Sequence, residues 1–535
     1  MLKRIRKSFN PPKEVPTTVP CTENKPQSGQ MSPLLDHNLQ RIETIVGENS
    51  DLVIRRFLIF GEYHGAIVYF SSMVDEHSIF TDILKPLMSP PLHLIGRTIP
   101  DQELLDIIWN EVLHLSKSKR ISCIDEMLDT GIQGSTLLML DGFAESIVLD
   151  TRQVQMRGIE QPQTEQTIRG AREGFIEVLE SNISLLRSRL QTTDLRITVN
   201  PIGQKTKSKV AVCYLESVAN PELIKEANRR LSKIDTDGIL DAGYIEQFIE
   251  DHPYSPFPQV QNTERPDKAA ASLLEGRVIL LTDGSPFALI VPAVFNQFYQ
   301  TLDDYTERFI IGSLIRFIRV IALLFSLFFP ALYVSIISFN PELIPTDFAV
   351  AVAGGRAGVP YPSVIEVLIM EVSMEVLREA TLRMPQIIGG ALSIVGVLVI
   401  GSAAVSAGFV SPITVVVVAL TTIGSFATPA YNAAIALRML RFPLIIMSGI
   451  FGLYGVMIGI IFIINHLLFM DSFGVPYLSP VVPINKQGLK DTLIRAPLWW
   501  MWKRPSHLHT VDNTRLADND KLNTEPVLNP TQEER

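Results

Sequence analysis

Between residues 320 and 470 the chain runs through long stretches with almost no charge, and this constrains the fold more than any other feature. Residues 320–339 (VIALLFSLFFPALYVSIISF) carry no charged side chain over about 20 residues, the length a helix needs to cross ~30 Å of hydrocarbon. Residues 387–410, 413–436 and 442–469 read the same way. A core helix of a soluble protein rarely goes so far without charge, so the pattern predicts an α-helical polytopic membrane domain over 311–485 with these four spans. Composition agrees: 47% of residues are hydrophobic and 19% charged, below the ~25% typical of soluble domains.

Most of the charge lies before residue 310. The N-terminus, MLKRIRKSFN, is basic, but PPKEVPTTVPCTENKPQSGQ follows it with no apolar run, so it does not read as an export signal. Residues 1–35 are expected to form a disordered basic, Pro-rich tail. The soluble region that follows is then expected to stay in the cytoplasm, and Arg308, Arg316 and Arg319 before the first span fit the positive-inside rule. Residues 361–384 form an acidic helix for which two arrangements remain open. If it crosses, the tail after 485 falls outside. If it lies in the interface, that tail falls inside, with Lys486, Lys490, Arg495, Lys503, Arg504 and the belt-like Trp499, Trp500 and Trp502. Residues 486–535 read as a polar C-terminal tail.

The soluble region reads as an α/β domain of two similar subdomains, 36–150 and 151–310. AIVYFSSMVD (66–75) and VAVCYLESVAN (210–220) are strands leading into helices near 76–88 and 221–234. Further on in each comes strand, Asp-Gly turn, strand: TLLMLDGFAESIVLD (136–150) and VILLTDGSPFALIVP (278–292). Asp141-Gly142 and Asp283-Gly284 supply the left-handed conformations a hairpin needs. Matching order and spacing point to a duplication, with chance likeness of two generic patterns as the alternative. RGAREGFIEVLESNISLLRSRL (169–190) reads as an amphipathic helix that either packs on a core or forms an oligomer contact. Residues 250–272 read as a Pro-rich loop.

Other chemistries find little support. No phosphate-binding, zinc-protease or serine-hydrolase motif stands in usable context, so an enzyme is not expected. Three cysteines and nine scattered histidines give no metal-site spacing, so neither metal nor cofactor is expected. A net charge of -9 argues against a nucleic-acid partner.

Ionisable groups within or beside a membrane are costly and become functional candidates by default. Glu371, Glu375 and Glu379 recur at i, i+4, i+8 on the acidic helix, with Glu366 earlier on it. Arg378 lies three residues after Glu375, and Arg383 four after Glu379, leaving Glu371 the least compensated. In a symmetric oligomer this stripe makes rings of negative charge suited to cation passage; the alternative is an interfacial helix with a solvated acidic face. Gly389, Gly390, Gly396, Gly401 and Gly408 let helices approach closely, and Pro429 interrupts a span.

Four segments carry a resemblance to a known family: 173–190 (EGFIEVLESNISLLRSRL), 263–292 (TERPDKAAASLLEGRVILLTDGSPFALIVP), 329–346 (FPALYVSIISFNPELIPT) and 378–419, from REATLRMPQIIGG onward. Over roughly 150–505 the chain resembles the GerA family, the A subunits of the nutrient germinant receptors of bacterial spores. Pro330, Pro341, Pro345, Arg356, Pro360, Pro362 and Pro385 also match its pattern. The resemblance implies a homo-oligomer in the inner membrane of the dormant spore, working with a transporter-like B subunit and a lipoprotein C subunit. It further implies a cation channel opened by nutrient, followed by release of calcium dipicolinate. An accessory paralogue of the SpoVAF type, or a non-conducting scaffold subunit, shares the same plan. A secondary transporter needs paired halves of spans, for which four or five spans leave no room.

Overall fold

The computed structural model describes residues 29–89, 101–113, 117–152, 161–382 and 401–515. Two five-stranded sheets occupy the N-terminal half. The first joins β1 (Leu52–Ile59), β2 (Tyr63–Phe70), β3 (Ser118–Ile121), β4 (Ser135–Leu140) and β5 (Ser146–Asp150) in the order β1-β2-β4-β5-β3. The second joins β6 (Leu195–Ile202), β7 (Ser208–Leu215), β8 (Gln261–Thr263), β9 (Val278–Thr282) and β10 (Ala288–Val291) in the order β6-β7-β9-β10-β8. The two orders are the same, and every pairing is antiparallel. The expected pair of similar subdomains is therefore present.

The likeness extends to single hydrogen bonds. Helices of eight residues or more are numbered α1 (Leu35–Val46), α2 (Ile124–Ile132), α3 (Leu179–Arg189), α4 (Pro221–Ser232), α5 (Ala242–Ile249) and α6 (Pro266–Leu274) in this half. α1 and α3 occupy matching places. The Asp141 carboxylate accepts from the Leu35 amide at the start of α1, and Asp283 accepts from Leu179 at the start of α3. Gly142 and Gly284, at φ 87 and 85, donate their amides to Pro33 and Glu177. Asn38 clasps both backbone groups of Ser32, and Asn182 clasps both of Ile176. Asn182→Ala orphans two part-buried backbone groups and is expected to cost about 1–3 kcal/mol, with a similar loss for Asn38→Ala, read as thermal unfolding of the full chain.

Alternation along the strands explains why both faces of each sheet are covered. Ala66, Val68 and Phe70 of β2 pack under α1 and α2, while Ile67 faces the helical residues 79–88 and 101–112. In the second sheet Ala211 and Cys213 pack under α3 and α6, and Val210 and Val212 under α4 and α5. The two units join through Arg187 of α3. Its buried guanidinium forks onto the Asp51 carboxylate, reaches Asn49, and lies 4.5 Å from the Phe70 ring centroid.

Several local expectations are revised. Helix over 169–190 is confined to α3, because 161–178 is an irregular strap held by Glu264 and Arg265: Glu264 accepts from the amides of Gln163 and Thr164, and Arg265 donates to the Ala171 carbonyl. The apolar face of α3 and Arg187 are both used inside the chain, which answers the choice between core and oligomer contact for those residues. The loop expected over 250–272 contains β8 and the start of α6. Residues 29–35, placed in the disordered tail, are anchored by Met31, whose amide donates to Ser122 and whose side chain is buried. The rest of that tail lies outside the described residues.

The C-terminal half is helical. It comprises α7 (Phe309–Phe339), α8 (Thr346–Arg356), α9 (Ser363–Leu382), α10 (Pro412–Ser425), α11 (Tyr431–Phe451) and α12 (Leu453–Phe469), with residues 401–406 also helical. α7 and α11 are long and apolar enough to cross a membrane; α10 and α12 are apolar but shorter. The expected spans shift accordingly. The first begins earlier, at Phe309. The run 413–436 is two helices, because Pro429 lacks an amide donor and restricts the residue before it. The run 442–469 is divided at Gly452, whose φ of 58 ends α11. Most of 387–410 lies outside the described residues.

The chain then returns to the second α/β unit. Asp471–Ser472 and Val475–Pro476 form a small hairpin, β11 and β12, in which Ser472 Oγ accepts from the Ala293 amide and Asp471 meets His252 at 2.9 Å. The buried Tyr477 hydroxyl donates to the Pro258 carbonyl. Residues 486–515, within the expected polar C-terminal tail, fold onto the same unit: Arg504 donates to the Leu274 carbonyl, the Val511 amide to Val218, and Leu508 is buried.

Candidate functional site: a ladder of buried charge

α9 runs through the helical half with its carboxylates turned toward cations of neighbouring helices. Glu366 is fully buried. One carboxylate oxygen accepts from Arg356 Nε of α8 at 3.0 Å; the other accepts from the Ser411 amide and the Thr414 hydroxyl, both at 3.0 Å. Ser411 caps α10, so Glu366 places its negative charge at the positive end of that helix. One turn and a half further on, Glu371 accepts from Arg441 Nη1 of α11 at 2.6 Å, both side chains being 2% exposed. A second Arg441 nitrogen donates to Ser326 of α7 at 2.7 Å, so this rung ties three helices. Glu375 meets Arg378 of its own helix and Arg438 of α11, each at 3.1 Å. Arg378 also donates to Ser425 of α10.

The expected Arg378–Glu375 contact is present, but the compensation of Glu371 was misjudged. Glu371 is paired through Arg441, seventy residues away in sequence. Arg438 and Arg441, the two cations of α11, are both ladder partners. A signal existed: two cations three residues apart in an otherwise apolar helix require carboxylates nearby. Ser326, Ser411 and Thr414 were not singled out for this role, since hydroxyl residues in apolar helices are common. Glu379 is exposed on α9. Its expected partner Arg383 lies outside the described residues.

Within one chain the three buried or half-buried carboxylates face four guanidinium groups, Arg356, Arg378, Arg438 and Arg441. The stripe is thus neutralised from within rather than bare. Of the proposed packing residues, Gly401 lies where a Cβ would stand 3.4 Å from Val415 of α10, whereas Gly408 occupies a turn at φ 68 and Pro429 the break before α11. Gly389, Gly390 and Gly396 lie outside the described residues. Among the described residues no cluster of His, Cys, Asp or Glu has metal-binding geometry.

A second charged cluster fastens the helical half to the sheets. Asp304, 1% exposed, accepts from Arg316 Nε at 3.1 Å, from Arg319 at 3.0 and 3.2 Å, and from Thr301. Arg316 also donates to the Asp491 carboxylate at 2.8 Å, and Tyr305 donates to the same group at 2.6 Å. Arg316 and Arg319, expected as positive charges flanking the first span, are buried inside this clamp. Burial pushes the Asp304 carboxyl up, but hydrogen bonds and charge from Arg319 and Arg316 outweigh it and hold it below the usual range.

The chain that folds into this duplicated antiparallel α/β pair and ion-paired helical half matches a family model in its sequence. Residues 40–507 fit the Bacillus/Clostridium GerA spore germination protein family, and the chain belongs to that family. Among relatives, the chain is 42% identical to a Bacillus subtilis protein named uncharacterized membrane protein YfkQ, over 90% of this chain and 92% of that one. It is 41% identical to spore germination protein KA of Bacillus subtilis, over 92% and 90%. Among solved structures, the N-terminal domain of the A subunit of the Bacillus megaterium spore germinant receptor GerK3 is 33% identical over 97% of its length and half of this chain, with a TM-score of 0.40.

Proposed function

We propose that this chain is the A subunit of a spore nutrient germinant receptor, seated in the spore inner membrane and acting with a transporter-like B subunit and a lipoprotein C subunit. In this reading, copies of the chain associate around a cation path, and α9 is the element whose state decides whether ions pass. The observation that supports it is the Glu366–Glu371–Glu375 ladder. Ionic rungs buried or half-buried in an apolar helical body are costly to maintain, and breaking and re-forming them would give α9 discrete arrangements to move between. The packing of residues 471–477 and 503–511 onto the second α/β unit, which also precedes the helical half, supports an even number of crossings and a cytoplasmic C-terminal segment.

The test uses spores stripped of their own receptors, in which this gene is restored with B- and C-subunit genes. Potassium and dipicolinate release are followed across a panel of amino acids and sugars. Release is expected to need both the gene and a nutrient. Glu375→Gln, at the least buried rung, is expected to change the rate of potassium release about fivefold or more with the protein still in the membrane. Silence across the panel, with the protein present, favours the accessory role. Unchanged release in the Glu375 and Glu371 variants removes the stripe from the mechanism.

A further inference from the structure

The C-terminal segment closes a cavity against the second α/β unit, and this cavity holds polar groups the fold leaves without partners. Its enclosed volume is about 80 Å³, several times what a single water needs. Arg277 and Asn296 line it from the sheet side; Lys490, Trp500, Trp502 and His507 line it from the C-terminal segment. Among the described residues, both ring nitrogens of His507 and the side-chain nitrogen of Asn296 are buried with no hydrogen-bond partner. Buried polar atoms normally find one, so three orphans on two residues that line one cavity leave hydrogen-bonding capacity for an occupant.

The charge around the cavity defines what that occupant is. Its two acids are already engaged: Asp491 with Arg316 and Tyr305, Glu275 with Arg277. Lys490, Lys503 and Arg515 have no carboxylate partner among the described residues, so the lining carries surplus positive charge. His507 is held neutral: burial, then the charges of Arg277 and His509, push it down to about 3. A neutral imidazole offers one N–H, and the Asn296 amide offers another. Two donors beside a pair of indole rings suit a flat body ending in a carboxylate.

We infer that this cavity is a binding site for a small, flat organic carboxylate, set where the helical half is fastened to the α/β unit. This inference stands apart from the receptor reading above, since it rests on the cavity alone. Its position has a consequence. The backbone of Asp491, on the cavity wall, accepts from Gln300 and from Arg316, the residue that clamps the start of α7. An anion seated against this wall therefore bears on how α7 is held.

The site is tested on the full chain in nanodiscs, with Trp109→Phe leaving Trp499, Trp500 and Trp502 as the fluorophores. Benzoate is the probe. A saturable fluorescence change is expected, with the dissociation constant raised about tenfold by His507→Phe and, independently, by Lys490→Gln. Circular dichroism confirms that each variant is folded, and Lys490→Gln alone carries the test if His507→Phe is not. No response to benzoate up to about 10 mM overturns the proposal. So does a response that both variants leave unchanged, or one seen only when phosphatidylglycerol replaces phosphatidylcholine, which assigns the cavity to a lipid headgroup.

Discussion

Arg441→Ala is expected to destabilise the helical half by about 3–5 kcal/mol, because it strips the Glu371 carboxylate, in an apolar interior, of its hydrogen-bonded cation and leaves it only the more distant charge of Arg378. Ser326 loses its guanidinium partner in the same step. Replacing both charges with neutral groups of similar size, Glu371→Gln with Arg441→Met, is expected to recover most of that loss. Removing a buried pair together spares the protein an uncompensated ion, and the remaining difference is packing. Thermal unfolding of the detergent-purified full chain reads both results. Equal damage from the single and double variants would mean that shape at this rung matters more than charge.

Asp304→Asn is expected to have an effect of the same order, about 3–5 kcal/mol, through a different pair of residues. Arg316 keeps Asp491, but Arg319 is left with the Tyr299 carbonyl and the Thr301 hydroxyl. The variant also carries a pH signature. The Asp304 carboxyl lies below its ordinary value of 3.8 in the folded chain, so the stability it contributes is complete above 3.8 and is lost as pH falls below it. Asp304→Asn is therefore expected to lose less stability than the native chain between pH 4 and lower values. An identical acid profile for the two would assign the acid sensitivity to other carboxylates.

What the sequence disclosed, and what it withheld, divides along contact distance. Asp141-Gly142 and Asp283-Gly284 announce their hairpins because a turn is a local event, and the repeat of that signal with its flanking strands is enough to recover the duplication. The uncharged runs give the helical half but not its breaks. Composition has no period, and the stops at Pro429 and Gly452 depend on single residues inside long apolar stretches. In the ladder, Arg378 and Glu375 are legible because they share a helix. Arg441 and Glu371 are not, because their pairing is fixed by how α9 and α11 pack. Residues 486–515 look like solvated tail since their attachment uses backbone carbonyls of Leu274 and Val218, which leave no mark in side-chain pattern.

The helical half leaves the second α/β unit at the Asp304 clamp and comes back to it at Tyr477 and the Asp471 hairpin. Two seams on one partner act as a door's two hinges. Sliding or lifting the helices away strains both seams together, whereas rotation about the line through them strains neither. Of the rigid-body motions open to the helices, a swing about that axis disturbs these two seams least, and the residues farthest from it travel most.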